Sequence, residues 1–144
     1  MTELPSARAQ SSAEFLGASG PRLAELCTAC GLCFTACPMT AHVPTLTGAD
    51  ARTVTEGLRR LARGEPGPAE TIAWVGACAR SGLCVASCPE REKGLDAMLL
   101  VRIAKQQAIN TTHQLEAKRD AHAFPRVKTF ARLQLTDREL DEWL

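Results

Sequence analysis

Apolar residues recur at helical spacing through the middle of the chain, and each run stops at residues that end helices. After Asp50, which has the side chain of an N-cap, Val54, Leu58 and Leu61 follow three and four apart, and Gly64 is a natural stop. Glu65-Pro66-Gly67-Pro68 reads as a loop. Proline is favourable in the first turn of a helix, so a second helix is expected from Pro68 or Ala69, carrying Ile72, Trp74 and Val75. Glu90 to Gly94 is a charged turn. A third helix is expected from about Leu95 to Ile109, with Leu95, Met98, Leu99, Arg102 and Ile103 along one side. A tail follows from Thr111 to Leu144, divided by Pro125. In it, Thr136-Asp137-Arg138-Glu139 has capping-box form and opens a short helix ending at Trp143-Leu144. Strands are not expected: Val43 to Thr47 is the nearest candidate, and Pro44 removes a ladder donor from it. The expected fold is all-α.

Met1 to Gly20 is rich in Ala, Ser and Gly without clear patterning and reads as a flexible N-terminal arm. It lacks a basic segment followed by an apolar stretch, so no secretory signal is expected. The chain divides into an arm over 1–20, a helical domain over 21–110 and a helical tail over 111–144, the last a candidate partner-docking segment. No run of about 18 apolar residues is present, so no bilayer span is expected. With 17 basic and 16 acidic residues the formal charge is +1, which gives no argument for nucleic acid or an anionic membrane. Aromatics make up 4% of the chain and Tyr is absent, so the core must be built from Ala, Leu and Val on small, closely packed helices.

The seven cysteines change this picture. Four lie in Cys27-Thr28-Ala29-Cys30-Gly31-Leu32-Cys33-Phe34-Thr35-Ala36-Cys37-Pro38, and three in Cys78-Ala79-Arg80-Ser81-Gly82-Leu83-Cys84-Val85-Ala86-Ser87-Cys88-Pro89. Shifting the first run by 51 positions lays it on the second: Cys27 meets Cys78, Cys33 meets Cys84, Cys37 meets Cys88, and Gly31-Leu32 meets Gly82-Leu83. Among the thiol positions only Cys30 finds a different residue, Ser81. A reducing, cytoplasmic compartment is expected for a chain without an export signal, and there such thiols point to metal rather than disulfides.

The first run has the spacing C-x2-C-x2-C-x3-C-P, which in two-cluster ferredoxins sends the fourth cysteine to the other cluster. Crossed in this way, Cys27, Cys30, Cys33 and Cys88 form a four-thiolate set, enough for a [4Fe–4S] cluster. Cys37, Cys78 and Cys84 form a three-thiolate set with Ser81 at the fourth corner. A serine oxygen is a poor soft ligand for iron, so the second cluster is expected to be [3Fe–4S], with a cubane carrying a labile or non-cysteine-ligated iron as the next possibility. Structural zinc is the rival reading, but seven thiols make one tetrahedral site with three left over. Because each set joins positions near 30 to positions near 80, metal binding and folding are expected to be coupled.

The paired runs resemble the α-helical ferredoxin family. One branch comprises the iron–sulfur subunits of succinate dehydrogenase and fumarate reductase, whose second run has the C-x5-C-x3-C-P form of Cys78, Cys84 and Cys88. The other comprises heterodisulfide-reductase-C-like proteins, which Gly82-Leu83-Cys84, Trp74 and the helix from Leu95 to Ile109 resemble. The likeness covers roughly Arg22 to Ile109. Only 26 residues precede Cys27, too few for the [2Fe–2S] domain of the first branch, while Ser81 departs from the four-cysteine second run usual in the other. The balance favours a heterodisulfide-reductase-C-like protein with one three-iron site.

The expected function is an electron-relay subunit of a multi-subunit oxidoreductase, not catalytic alone. No acid–base or nucleophilic constellation and no Gly-rich nucleotide loop is evident. The resemblance implies a disulfide-reductase-type or flavin-bearing partner, with any membrane association made through a partner. A quinone-linked relay and an iron–sulfur redox sensor are the alternatives, and an open iron acting as a Lewis acid is a further one. Arg80, Arg91 and Lys93 flank the second run and either tune a cluster, dock an acidic partner or are simply solvated. His42, His113 and His122 lie outside both runs and are expected at the surface or in packing. Trp74 is expected to cover core or cluster, and Trp143 to close its helix or anchor a partner.

Overall fold

The computed structural model describes residues 11–110 and 123–143, and among them every regular element is helical. The order is α1 (Ser12–Leu26), α2 (Leu32–Ala36), α3 (Ala51–Ala62), α4 (Ala69–Gly76), α5 (Leu83–Ser87), α6 (Ala97–Ile109), α7 (Ala123–Gln134) and α8 (Asp137–Trp143). Short 3-10 turns lie at Thr40–His42, Pro44–Leu46 and Arg91–Lys93. No described helix is long and apolar enough to cross a membrane.

Local chemistry sets most boundaries. The Asp50 carboxylate accepts from the Thr53 N–H at 2.9 Å and starts α3, while Gly64 adopts a left-handed φ of 80° just beyond its end. Pro68 occupies the position before α4, extended at φ −66° and ψ 154°. The expected capping box forms reciprocally: the Thr136 N–H donates to Glu139 at 2.8 Å, and the Glu139 N–H donates to the Thr136 hydroxyl at 3.4 Å. Pro44 stands at the start of a 3-10 turn in the stretch nearest to a strand, and Val43 and Leu46 turn into the core.

Two expectations need correction. The flexible arm over 1–20 falls partly outside the described residues, but from Ser12 the chain is helical. The Ser11 hydroxyl caps α1 by accepting from the Glu14 N–H at 3.2 Å. Small residues that looked unpatterned are what lets α1 lie against α3: a Cβ on Gly20 would collide with the Ala62 carbonyl oxygen. The third helix begins at Ala97, not Leu95, with Asp96 as its cap at 3.0 Å from the Leu99 N–H. Its buried face is also different: Ala97, Leu100, Val101, Ile103, Ala104 and Lys105 turn inward, and Arg102 is exposed. A helix touching α1, α3, α4 and α5 at once buries a broad arc, so a single stripe underestimates it.

The core lies between α1, α3, α4 and α6, with Leu23, Val54, Leu58, Val75, Leu100 and Ile103 almost fully covered. The Thr71 hydroxyl donates to the Val54 carbonyl at 2.9 Å and pins α4 to α3 within it. Phe34 of α2 and Trp74 of α4 meet edge to face, centroids 5.4 Å apart, tying the first cysteine run to the helix that leads into the second. Gly20→Ala is expected to destabilise the domain by about 1–3 kcal/mol, because the added methyl meets backbone that cannot swing aside. Urea unfolding of the two proteins measures this as a lower midpoint.

Candidate metal-cluster site

The two cysteine runs fold as one motif used twice. Ala29 and Arg80 both take left-handed backbone, at φ 54° and 57°, and Gly31 and Gly82 follow at 84° and 79°. Two left-handed residues within three positions wind the chain into a tight loop around its thiols. Glycine is needed at the second because a side chain there is strained; at Gly31 a Cβ would also stand 2.8 Å from the Ala51 Cβ. Each loop feeds a five-residue helix, α2 or α5, that ends at Cys37 or Cys88 in extended conformation. Even the 3-10 turns at Thr40–His42 and Arg91–Lys93 keep the spacing of 51.

The folded chain brings the cysteines together as two sets. One cavity is lined by Cys27, Cys30 and Cys33 of the first run and Cys88 of the second. The other is lined by Cys78 and Cys84 of the second run and Cys37 of the first. Ser81 lines this second cavity at the place Cys30 holds in the first. α6 forms a wall of both: Ala97 and Leu100 face one, Met98 and Val101 the other. Cys33 and Cys84 lie within each other's electrostatic reach, which makes the two cavities neighbours.

Sequence reasoning did not name Met39, Leu100 or Val101, and it named Leu58, Leu95 and Met98 only as apolar helix positions. All six supply apolar cover, and Glu90, read only as the start of a charged turn, lines the four-cysteine cavity. Met39 and Glu90 could have been found, since each directly follows a Cys-Pro pair. Trp74 lines the three-cysteine cavity while buried in the core. Arg80 lines that cavity too, whereas Arg91 and Lys93 are exposed, and Lys93 pairs with Glu90 at 2.7 Å. His42 sits in the 3-10 turn after the first run and lines neither cavity, and His113 and His122 lie outside the described residues.

The chemistry of this donor set fits iron–sulfur clusters. Among the described residues no three His, Cys, Asp or Glu side chains converge as a site for a single metal ion. The thiols instead surround a volume, as ligands of a polynuclear core must, whereas zinc draws its sulfurs to about 2.3 Å from one point. Backbone N–H groups lean on the sulfurs: Ala29 on Cys27, Phe34 on Cys33 and Val85 on Cys84, the last two related by the repeat. Such bonds favour negative sulfur.

Fold and site together define a helical protein with a duplicated cluster-binding turn. Residues 26–92 match the family model described as a 4Fe-4S dicluster domain, a span that contains both cysteine runs and ends just before Lys93. This match supports a ferredoxin-type iron–sulfur domain with an electron-transfer role and a [4Fe–4S] cofactor. No curated protein and no solved structure matches the chain.

Without iron the site resists ionisation. Burial pushes the Cys33 thiol up to about 12 and the Cys84 thiol up to about 11, with the sulfurs of Cys27 and Cys78 adding to the respective shifts. Burial also raises Cys27, against the Ala29 N–H and the Arg59 charge. Protonated thiols thus stabilise the metal-free fold below their ordinary value of 9.0, and that stability is lost as pH rises through about 11 and 12. Cluster assembly must expel the same protons, so it is expected to release acid and to tighten as pH rises. Proton release during anaerobic reconstitution in weak buffer, and denaturant midpoints of the metal-free chain falling above pH 9, check the two halves of this expectation.

Proposed function

We propose that the chain is an electron-relay subunit of a multi-subunit oxidoreductase. In this reading Cys27, Cys30, Cys33 and Cys88 hold a [4Fe–4S] cluster. Cys37, Cys78 and Cys84 hold a [3Fe–4S] cluster, with Ser81 at its vacant corner. The observation that carries the reading is the grouping of the thiols, four around one cavity and three around its neighbour, each set drawn from both runs. When bound, each cluster supplies a site that takes up and returns one electron without moving an atom.

The protein's own residues prepare that chemistry. Trp74, Met39 and Val101 exclude water from the three-cysteine cavity, and Leu58, Leu95 and Leu100 do so for the other. Low polarity around the thiols keeps solvent reorganisation small during electron uptake. Cys33 feels the charge of Cys84, so the two centres would be close enough for an electron to pass between them. Ser81 supports a three-iron site: its hydroxyl accepts from the Leu83 N–H at 3.4 Å and so is engaged with its own loop.

A partner must supply and remove the electrons. The resemblance to heterodisulfide-reductase-C-like proteins favours a disulfide-reductase-type or flavin-bearing subunit. Phe124, Val127, Phe130 and Leu133 form an exposed apolar stripe along α7, which supports the tail as the segment that docks it.

Ser81→Cys tests the cluster assignment. Wild type is expected to hold about seven irons and to give a three-iron EPR signal on oxidation, whereas the variant should hold about eight and lose that signal. A wild type already carrying about eight irons without the signal would contradict the three-iron site. The crossed ligation makes a separate expectation: Cys88→Ser, although in the second run, should cost the cluster of Cys27, Cys30 and Cys33, and Cys37→Ser the other. Signal loss in the opposite pattern would reject the crossing.

A further inference from the structure

Away from the cysteines, the helices of the tail leave one packing face open. α7 and α8 flank a groove whose α7 side is lined by Val127, Phe130, Ala131, Gln134 and Leu135. These positions fall at i, i+3, i+4, i+7 and i+8, the spacing of one straight face of a helix that lies against another helix. Yet Val127 is 43% and Phe130 40% exposed, so the described residues leave the face without cover. Phe124 and Leu133, the other exposed apolar side chains of α7, do not line the groove.

The other side of the groove is acidic, formed by Glu139 and Glu142 of α8. The Thr136 N–H and hydroxyl both donate to the Glu139 carboxylate at 2.8 Å and hold it below its ordinary range, so it is charged at neutral pH. Glu142 meets Arg138 at 3.3 Å, but both side chains are largely exposed, and such a pair contributes little. α7 has the opposite sign: it carries Arg126, Lys128 and Arg132 and no acidic residue. Lys128 and Arg132 stand three positions before Ala131 and Leu135, so they border the groove face. Lys128 lies 5.0 Å from the centre of the Phe124 ring, and Arg132 is exposed. A helix that fits this groove must show an apolar face edged by basic residues, and α7 is itself such a helix.

The register of the face is self-complementary as well. Two α7 helices laid antiparallel about a two-fold axis between Phe130 and Ala131 set Phe130 of each copy against Ala131 of the other, large against small, and Val127 against Gln134. The same rotation carries the basic border of one α7 toward the acidic side of the other copy's groove. A two-fold contact needs a patch of this kind, one that complements itself. Two α7–α8 units joined in this way form a four-helix arrangement in which each open face gains helix cover.

We propose that the groove is filled by α7 of a second copy, so that the protein pairs as a two-fold dimer through α7 and α8. The pairing goes beyond the electron-relay reading and does not depend on it. Phe124 and Leu133 stay outside the groove and are left for the partner subunit that supplies and removes electrons.

Anaerobic sedimentation equilibrium of the full chain across micromolar concentrations reads self-association, with iron and sulfide assayed on the same samples. The wild type is expected to approach the mass of two chains. Phe130→Glu places a charge in the middle of the face and is expected to weaken pairing by about thirtyfold or more. Lys128→Glu with Arg132→Glu sets acid against acid. Glu139→Gln with Glu142→Lys removes the acidic side, and glutamine keeps the capping box. Each of these two variants alone is expected to be monomeric where the wild type pairs, and an equimolar mixture of them is expected to pair again, because each then supplies the charge the other lacks. The mixture decides the matter if Phe130→Glu does not fold. A wild type of one-chain mass at full iron content overturns the inference and leaves the two-cluster reading standing. So does a dimer that none of these changes weakens. A monomeric wild type whose groove takes up a basic amphipathic helix of another protein also overturns it, in favour of that occupant.

Discussion

Each of the two cysteine-lined cavities is closed by a thiol from the other half of the motif, and the fold is organised around that exchange. Cys37 reaches Cys78 and Cys84, and Cys88 reaches Cys27, Cys30 and Cys33. Neither half can complete a cavity alone. The short helices α2 and α5 must therefore lie together, and the helices that enter and leave them must pack as one body. The apolar core of Leu23, Leu58, Val75, Leu100 and Ile103 holds the framework, but the thiols it brings together are half-buried, and Cys27, Cys33 and Cys84 among them are reluctant to ionise. Iron resolves that tension by taking the protons' place, which makes cofactor assembly part of the folding free energy.

Duplication explains the geometry, and departures from it carry the specificity. The left-handed pairs Ala29–Gly31 and Arg80–Gly82, the five-residue helices and the 3-10 turns repeat almost without change. What differs is chemical: Cys30 against Ser81, and Glu90 against Met39. The same backbone thus offers two environments of different thiol count.

Much of this was legible in the sequence because it depends on short-range chemistry. Asp50, Pro68 and the Thr136–Glu139 box mark helix starts through groups within a few residues of one another, and Gly64 marks a stop through backbone freedom. The ligand spacing within each cysteine run is also local, whereas the exchange of Cys37 and Cys88 joins the two runs across the chain. The features that were not legible depend on tertiary contact. The start of α1 was hidden because Ala, Ser and Gly carry little periodicity, and their purpose, the close approach at Gly20, exists only once α3 is present. The inward face of α6 was misjudged because four helices meet it from different sides.

The account depends most on the interleaving of the two runs around two inorganic centres. Crystals grown anaerobically from cluster-loaded protein, with anomalous scattering measured at the iron edge, locate the irons and their sulfur ligands directly. The account predicts two adjacent centres, one bonded by Cys27, Cys30, Cys33 and Cys88 and the other, with one iron fewer, by Cys37, Cys78 and Cys84. A structure in which Cys37 binds the same centre as Cys27, and Cys88 the same centre as Cys78, would contradict it.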